Sequence, residues 1–85
     1  MLIHTPAALA QFCRDRRKIN GLSQDEVARD AALRQDTVSR FELGPDHARL
    51  DTLFRLLAAL DLELHLLPKG PDAPAAQPSE WTEPW

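Results

Sequence analysis

The stretch Ser23-Gln24-Asp25-Glu26-Val27-Ala28, followed after a short break by Arg34-Gln35-Asp36-Thr37-Val38-Ser39-Arg40-Phe41-Glu42, decides how this chain folds. Ser23 and Glu26 form an S-x-x-E capping box, in which two side chains satisfy backbone N–H groups left without partners at a helix start. Val27 and Ala31 fall one turn apart on a single helical face, with Ala28 beside them. The break at Ala31-Ala32-Leu33 resets the chain direction, and Val38 and Phe41 give the next helix a narrow apolar stripe of its own. That helix leaves Arg34, Gln35, Asp36, Thr37, Ser39 and Arg40 outward. Gln, Thr, Ser and Arg on one outward face suit hydrogen bonding to base edges and phosphates in a major groove. Taken alone, such a face is usually just solvated. After a capping box and a tight turn, it completes a helix-turn-helix signal.

Upstream, Thr5-Pro6 starts another helix, with threonine as cap and proline at the first helical position, where its missing N–H costs nothing. Leu9, Phe12, Cys13 and Ile19 supply its apolar face, and Asn20-Gly21 ends it with a residue able to take φ > 0. Leu22 is expected to pack as a staple before the next cap. Downstream, Gly44-Pro45-Asp46 reads as a turn. Leu50, Leu53, Phe54, Leu57 and Leu60 then recur at helical spacing over about 11 residues. Leu53, Leu56, Leu57 and Leu60 span less than two heptads, so core packing is preferred to a coiled-coil seam.

Leu62-Glu63-Leu64-His65-Leu66-Leu67 alternates with period two, the pattern of a half-buried strand. A lone strand cannot satisfy its own backbone, and the sequence offers no second one. The expected partner is the same segment of another copy, with Leu62, Leu64 and Leu66 forming a ribbon across a homodimer. Extension of the fourth helix is the alternative. From Pro68 onward the chain holds five of its seven prolines, a composition expected to remain a flexible tail. The expected division is therefore a DNA-binding and dimerisation domain over 1–67 and a Pro-rich tail over 68–85. Trp81 and Trp85 in that tail suit anchoring in a partner's pocket, where aromatic side chains dominate binding energy.

At 85 residues the chain is one small domain near the lower limit for a single core, and oligomerisation would help it. A lone Cys13 excludes an intramolecular disulfide and reads as a small core hydrophobe. His4, His47 and His65 have no ligand spacing, so neither metal nor cofactor is expected. No nucleophile, metal set or carboxylate pair suggests an enzyme. No signal peptide or membrane-length apolar run is evident, which favours a cytoplasmic location. The net charge of −3 runs against the basic balance usual for DNA-binding domains. Yet Lys69 against Asp72, Glu80 and Glu83 puts −2 in the tail, leaving −1 elsewhere. Arg14, Arg16, Arg17 and Lys18 also cluster against a single Asp15, a local edge that suits phosphate contact.

Four helices carrying G-L-S-Q-D-E-V-A and then Q-D-T-V-S-R-F-E-L-G resemble the Xre/Cro family of phage-repressor-like DNA-binding domains, over approximately Thr5 to Leu60. With the added strand and the tail ending in tryptophan, the whole chain resembles a HipB-type antitoxin, the DNA-binding partner of a HipA-type serine/threonine kinase toxin. The resemblance implies an all-α bundle and a role for each matching residue. Gln24 matches a glutamine that contacts phosphate and braces the reading helix. Gln35 matches a base-reading position, and Arg34, Thr37, Ser39 and Arg40 match base or phosphate contacts. Arg17 and Glu42 match a structural ion pair. Ala32 stands where the family usually has glycine, and Asp36 places a carboxylate on the reading helix, where favouring the helix N-terminus is its simplest use.

The function these readings imply is a homodimeric repressor of its own toxin–antitoxin operon, binding inverted-repeat operator DNA near the bacterial nucleoid and neutralising a HipA-like kinase. A stand-alone regulator without a toxin is the runner-up. A helical adaptor that has lost DNA reading is the more distant alternative.

Overall fold

Thr5 caps α1 (Pro6–Ile19) by accepting the Ala8 N–H at 3.1 Å, with Pro6 in the first turn. This computed structural model describes residues 2–69. Of the expected tail, residues 70–85, with Trp81 and Trp85, lie outside the described residues. Three further α-helices follow: α2 (Gln24–Ala31), α3 (Gln35–Leu43) and α4 (Leu50–Ala59), with a 3-10 turn (Pro45–His47) before the last. The architecture is all-α. No helix among the described residues is long and apolar enough to cross a membrane.

The capping box at α2 is complete: the Glu26 N–H donates to the Ser23 hydroxyl at 3.1 Å, and the Ser23 N–H donates to the Glu26 carboxylate at 2.9 Å. Three helices end alike. Gly21, Ala32 and Asp61 each take a left-handed conformation, at φ +72°, +58° and +60°. Each is followed by a leucine whose N–H reaches back five residues: Leu22 to Arg17 O (3.0 Å), Leu33 to Ala28 O (2.8 Å) and Leu62 to Leu57 O (2.8 Å). This is the Schellman closure, which satisfies orphan carbonyls and brings an apolar residue back onto the helix end. Leu22, Leu33 and Leu62 accordingly pack against the core.

That core joins Ala10 and Cys13 of α1, Val27 and Ala28 of α2, Val38 and Phe41 of α3, and Leu56, Leu57 and Leu60 from α4 and its end. α2 packs on both α3 and α4, while α1 packs on α3 and the 3-10 turn. Two sequence expectations are corrected. Ile19 is exposed, because it lies in the last turn of α1 beyond the neighbouring helices, and Ala10 takes the buried place. On α4 the buried stripe runs through Leu53, Leu56, Leu57 and Leu60, leaving Leu50 72 % and Phe54 52 % exposed. Both flanks of α4 are apolar, so spacing alone cannot choose which one turns inward.

Extension of α4 through the alternating segment is excluded. The left-handed Asp61 ends the helix, and residues 62–68 carry neither helix nor strand. Within that segment Leu62 packs on its own protomer's core, whereas Leu64 and Leu66 are exposed.

Candidate nucleic-acid interface

The turn between α2 and α3 is held by the left-handed Ala32, whose carbonyl accepts from Arg55 Nη1 of α4 at 3.3 Å. With Val38 and Phe41 buried, α3 is fixed along one side and presents the other outward. Gln35, Asp36 and Arg40 are exposed, and Thr37 and Ser39 are half-buried at the edge of that face. Arg34 precedes the helix in extended conformation, exposed and making no side-chain capping bond.

A chain of polar contacts runs from α1 to the start of α3. Arg17 Nε and Nη2 donate to the two Glu42 oxygens at 2.7 and 3.0 Å, while its Nη1 donates to the Leu22 carbonyl at 2.9 Å. Only 12 % of the Arg17 side chain and 6 % of Glu42 remain exposed, so the pair is largely desolvated. Gln24 Nε2 donates to Glu42 Oε1 at 2.9 Å, and Gln35 Nε2 donates to Gln24 Oε1 at 2.7 Å. Burial alone would raise the Glu42 carboxyl. Hydrogen bonds from Arg17 and Gln24, with the charges of Arg17 and Arg14, outweigh it and hold the group below its ordinary value. The result is a rigid strut: α1 positions Glu42, Glu42 positions Gln24, and Gln24 orients Gln35 on the outer surface.

One hydrogen of the Gln35 amide is spent on Gln24. Its second hydrogen and its oxygen have no partner among the described residues. Those two groups are what a bidentate contact to adenine requires, the oxygen for the N6 amine and the hydrogen for N7. Asp36 makes an exposed ion pair with Arg40, Oδ2 to Nη2 at 3.0 Å, one helical turn away. Its carboxylate also lies in the first turn of α3, where the helix dipole favours it. Cys13 has no part in this surface. Burial, and then the Glu42 charge, push its thiol up to about 11, leaving it unreactive at neutral pH. Among the described residues, no cluster of His, Cys, Asp and Glu could hold a metal ion.

The resemblance implied that Gln24 braces the reading helix, but not that it does so through Gln35 and Glu42. Those contacts join residues 11 and 18 positions apart, beyond the reach of local pattern.

Fold and surface together define a helix-turn-helix domain with an outward, hydrogen-bonding third helix. A helix-turn-helix family model matches residues 14–67. The HipB antitoxins of two Escherichia coli strains are 35% and 34% identical to the chain in alignments 82 residues long that cover 93% of it. The match covers 87% and 93% of the relatives, respectively. A chain of the solved HipA-HipB-O2-O3 complex superposes with a TM-score of 0.80 at 34% identity, over 82% of this chain and 99% of that one. The chain belongs to the helix-turn-helix family and, within it, to the HipB antitoxins.

Proposed function

We propose that this chain is the antitoxin and transcriptional repressor of a toxin–antitoxin operon, a non-enzymatic protein that binds inverted-repeat operator DNA as a homodimer and neutralises a HipA-like serine/threonine kinase. The observation that carries this reading is Gln35, anchored through Gln24 to the Arg17–Glu42 pair while keeping the donor and acceptor that adenine demands. Kinship with HipB, including a chain solved together with HipA and O2–O3, read here as operator DNA, supports both partners.

In this mechanism Gln35, Arg34, Thr37, Ser39 and Arg40 contact bases and phosphates, and Gln24 braces Gln35 while turning its edge toward the backbone. Asp36 tethers Arg40 until phosphate or base competes for it. Two copies join through Leu64 and Leu66, with the exposed Leu50–Phe54 flank of α4 adding apolar area, and set the reading helices about one DNA turn apart, ~34 Å. Leu62 faces its own core and, with its N–H given to the Leu57 carbonyl, serves the ribbon through its own carbonyl. Trp81 and Trp85 engage the kinase. The protein works in the cytoplasm, on nucleoid DNA.

Gel shifts with the chain's own upstream DNA test the reading. A specific complex forms and weakens steeply as salt rises. Gln35→Ala costs about 1–3 kcal/mol at one base pair per half-site and relaxes selectivity there. Unchanged selectivity would remove Gln35 from the reading set. Truncation after Pro68 preserves DNA binding and abolishes rescue from the co-expressed kinase. Full rescue by the truncated chain would remove the two tryptophans from the toxin contact.

A further inference from the structure

After α4 the chain leaves its own core at Leu62 and runs on through Glu63, Leu64, His65, Leu66 and Leu67, all of them exposed. Glu63 and His65 lie two residues apart, on one side of an extended segment, and His65 Nε2 sits 3.0 Å from Glu63 Oε2. Their side chains are 85 % and 73 % exposed, so the contact adds little to the single chain. The second ring nitrogen, Nδ1, and the other Glu63 oxygen have no partner among the described residues.

When such a segment pairs with its own copy, opposed side chains share a face of the ribbon, so the two-fold axis passes through one residue of each strand. Charge and backbone chemistry choose that residue. An axis at Glu63 sets two carboxylates directly opposite each other, and an axis at His65 does the same to two imidazoles. An axis at Leu66 brings Pro68, which has no N–H to give, opposite the partner's Leu64 and leaves Leu62 unmatched. An axis at Leu64 avoids all three faults. Leu62 then faces the partner's Leu66, Leu64 faces the partner's Leu64, and Glu63 faces the partner's His65.

We propose that Leu64 lies on the axis, and that the Glu63 and His65 side chains of both copies close a ring of four alternating acidic and basic groups around it. The ring fixes the register of the ribbon and selects a second copy of this chain as the partner. It rests on the homodimer reading above and deepens it. The Leu62 carbonyl and both backbone groups of Leu64 carry the hydrogen bonds. Glu63 and the partner's His65 fall at a non-hydrogen-bonded pair, where Cα atoms come within about 4.5 Å. Each imidazole meets its own Glu63 on one side and the partner's Glu63 on the other. Of the other charged groups in the segment, Asp61 stands diagonal to the partner's His65 with the same sign as Glu63, and Lys69 lies past Pro68, outside the ladder. An imidazole donating from both nitrogens is an imidazolium, so pairing takes up protons and is favoured as pH falls.

Cysteine substitution in the full chain reads the register, since an unstrained disulfide needs Cα atoms about 4.4–6.8 Å apart. Under mild oxidation Leu64→Cys cross-links with itself, whereas Glu63→Cys and His65→Cys cross-link only when mixed with each other. The natural Cys13 is buried and stays out of the reaction. Sedimentation equilibrium reads the charges. His65→Glu and Glu63→Lys each weaken self-association by about 10–100-fold. An equimolar mixture of the two recovers a heterodimer within about 3-fold of the natural dimer, because both opposed pairs again join an acid to a base. The natural dimer is about 3–10-fold tighter at pH 6 than at pH 8, and His65→Gln removes that difference.

Self-cross-linking by Glu63→Cys or His65→Cys in place of Leu64→Cys, or a charge mixture no stronger than its components, overturns the ring while leaving the homodimer intact. Equal association of the natural chain at pH 6 and pH 8 does the same. A natural chain that sediments as a monomer at every concentration defeats the homodimer reading itself, and the ring with it.

Discussion

Ala32 occupies the left-handed region at φ +58° and ψ +42°, where its Cβ crowds the following carbonyl and costs roughly 1–2 kcal/mol. Ala32→Gly removes that strain but enlarges the freedom of the unfolded chain, which returns about 0.4–1 kcal/mol of the gain. The expected net stabilisation is about 0.5–1 kcal/mol, read as a rise in Tm of roughly 2–8 °C by calorimetry. A lower Tm would show that the turn is not strained.

Glu42 governs a second residue-scale effect. Its carboxyl is held below the ordinary 4.5, so its contribution to stability is complete above that value and lost as pH falls through the lower folded value. Thermal melts at pH 7 and pH 3 therefore show a smaller difference for Glu42→Gln than for the natural chain, together with a lower Tm at pH 7. Identical pH differences would remove Glu42 as a source of the acid sensitivity.

At the scale of elements, the helix boundaries are chemical events that the sequence announces. Ser23→Ala removes the oxygen that accepts the Glu26 N–H and costs about 1 kcal/mol, measured by urea unfolding with an unchanged m-value. An effect below the error of that measurement would mean that solvent replaces the cap. The Glu26 carboxylate is itself held low by the Ser23 backbone N–H and then by the Ser23 hydroxyl, the reciprocal half of the same box. Helix ends are less legible, although the pairs Gly21-Leu22, Ala32-Leu33 and Asp61-Leu62 are one device used three times. Only the first carries glycine. The other two are hidden because tertiary packing of the following leucine offsets the strain of an ordinary residue at φ > 0.

For the whole molecule, the exposed Leu50, Phe54, Leu64 and Leu66 concentrate apolar surface on α4 and the segment after it. In the homodimer proposed above, this surface is the interface. Phe54→Lys and Leu64→Lys each shift sedimentation equilibrium toward monomer. Operator affinity falls with it by on the order of 10²-fold, because the second half-site no longer binds at the high effective concentration of a joined pair. A variant that remains dimeric would place the interface elsewhere.

The sequence by itself determined the four helices, their starts at Thr5 and Ser23, the inward Val27, Val38 and Phe41, and the outward polar face of α3, because caps and 3.6-residue periodicity act over a few neighbouring residues. Tertiary structure alone decided which flank of α4 is buried, where Leu62 turns, and how Gln35 is joined through Gln24 to Glu42. Those outcomes depend on contacts between residues far apart in the chain. Their energies appear only once the helices have packed and water has been excluded from between them.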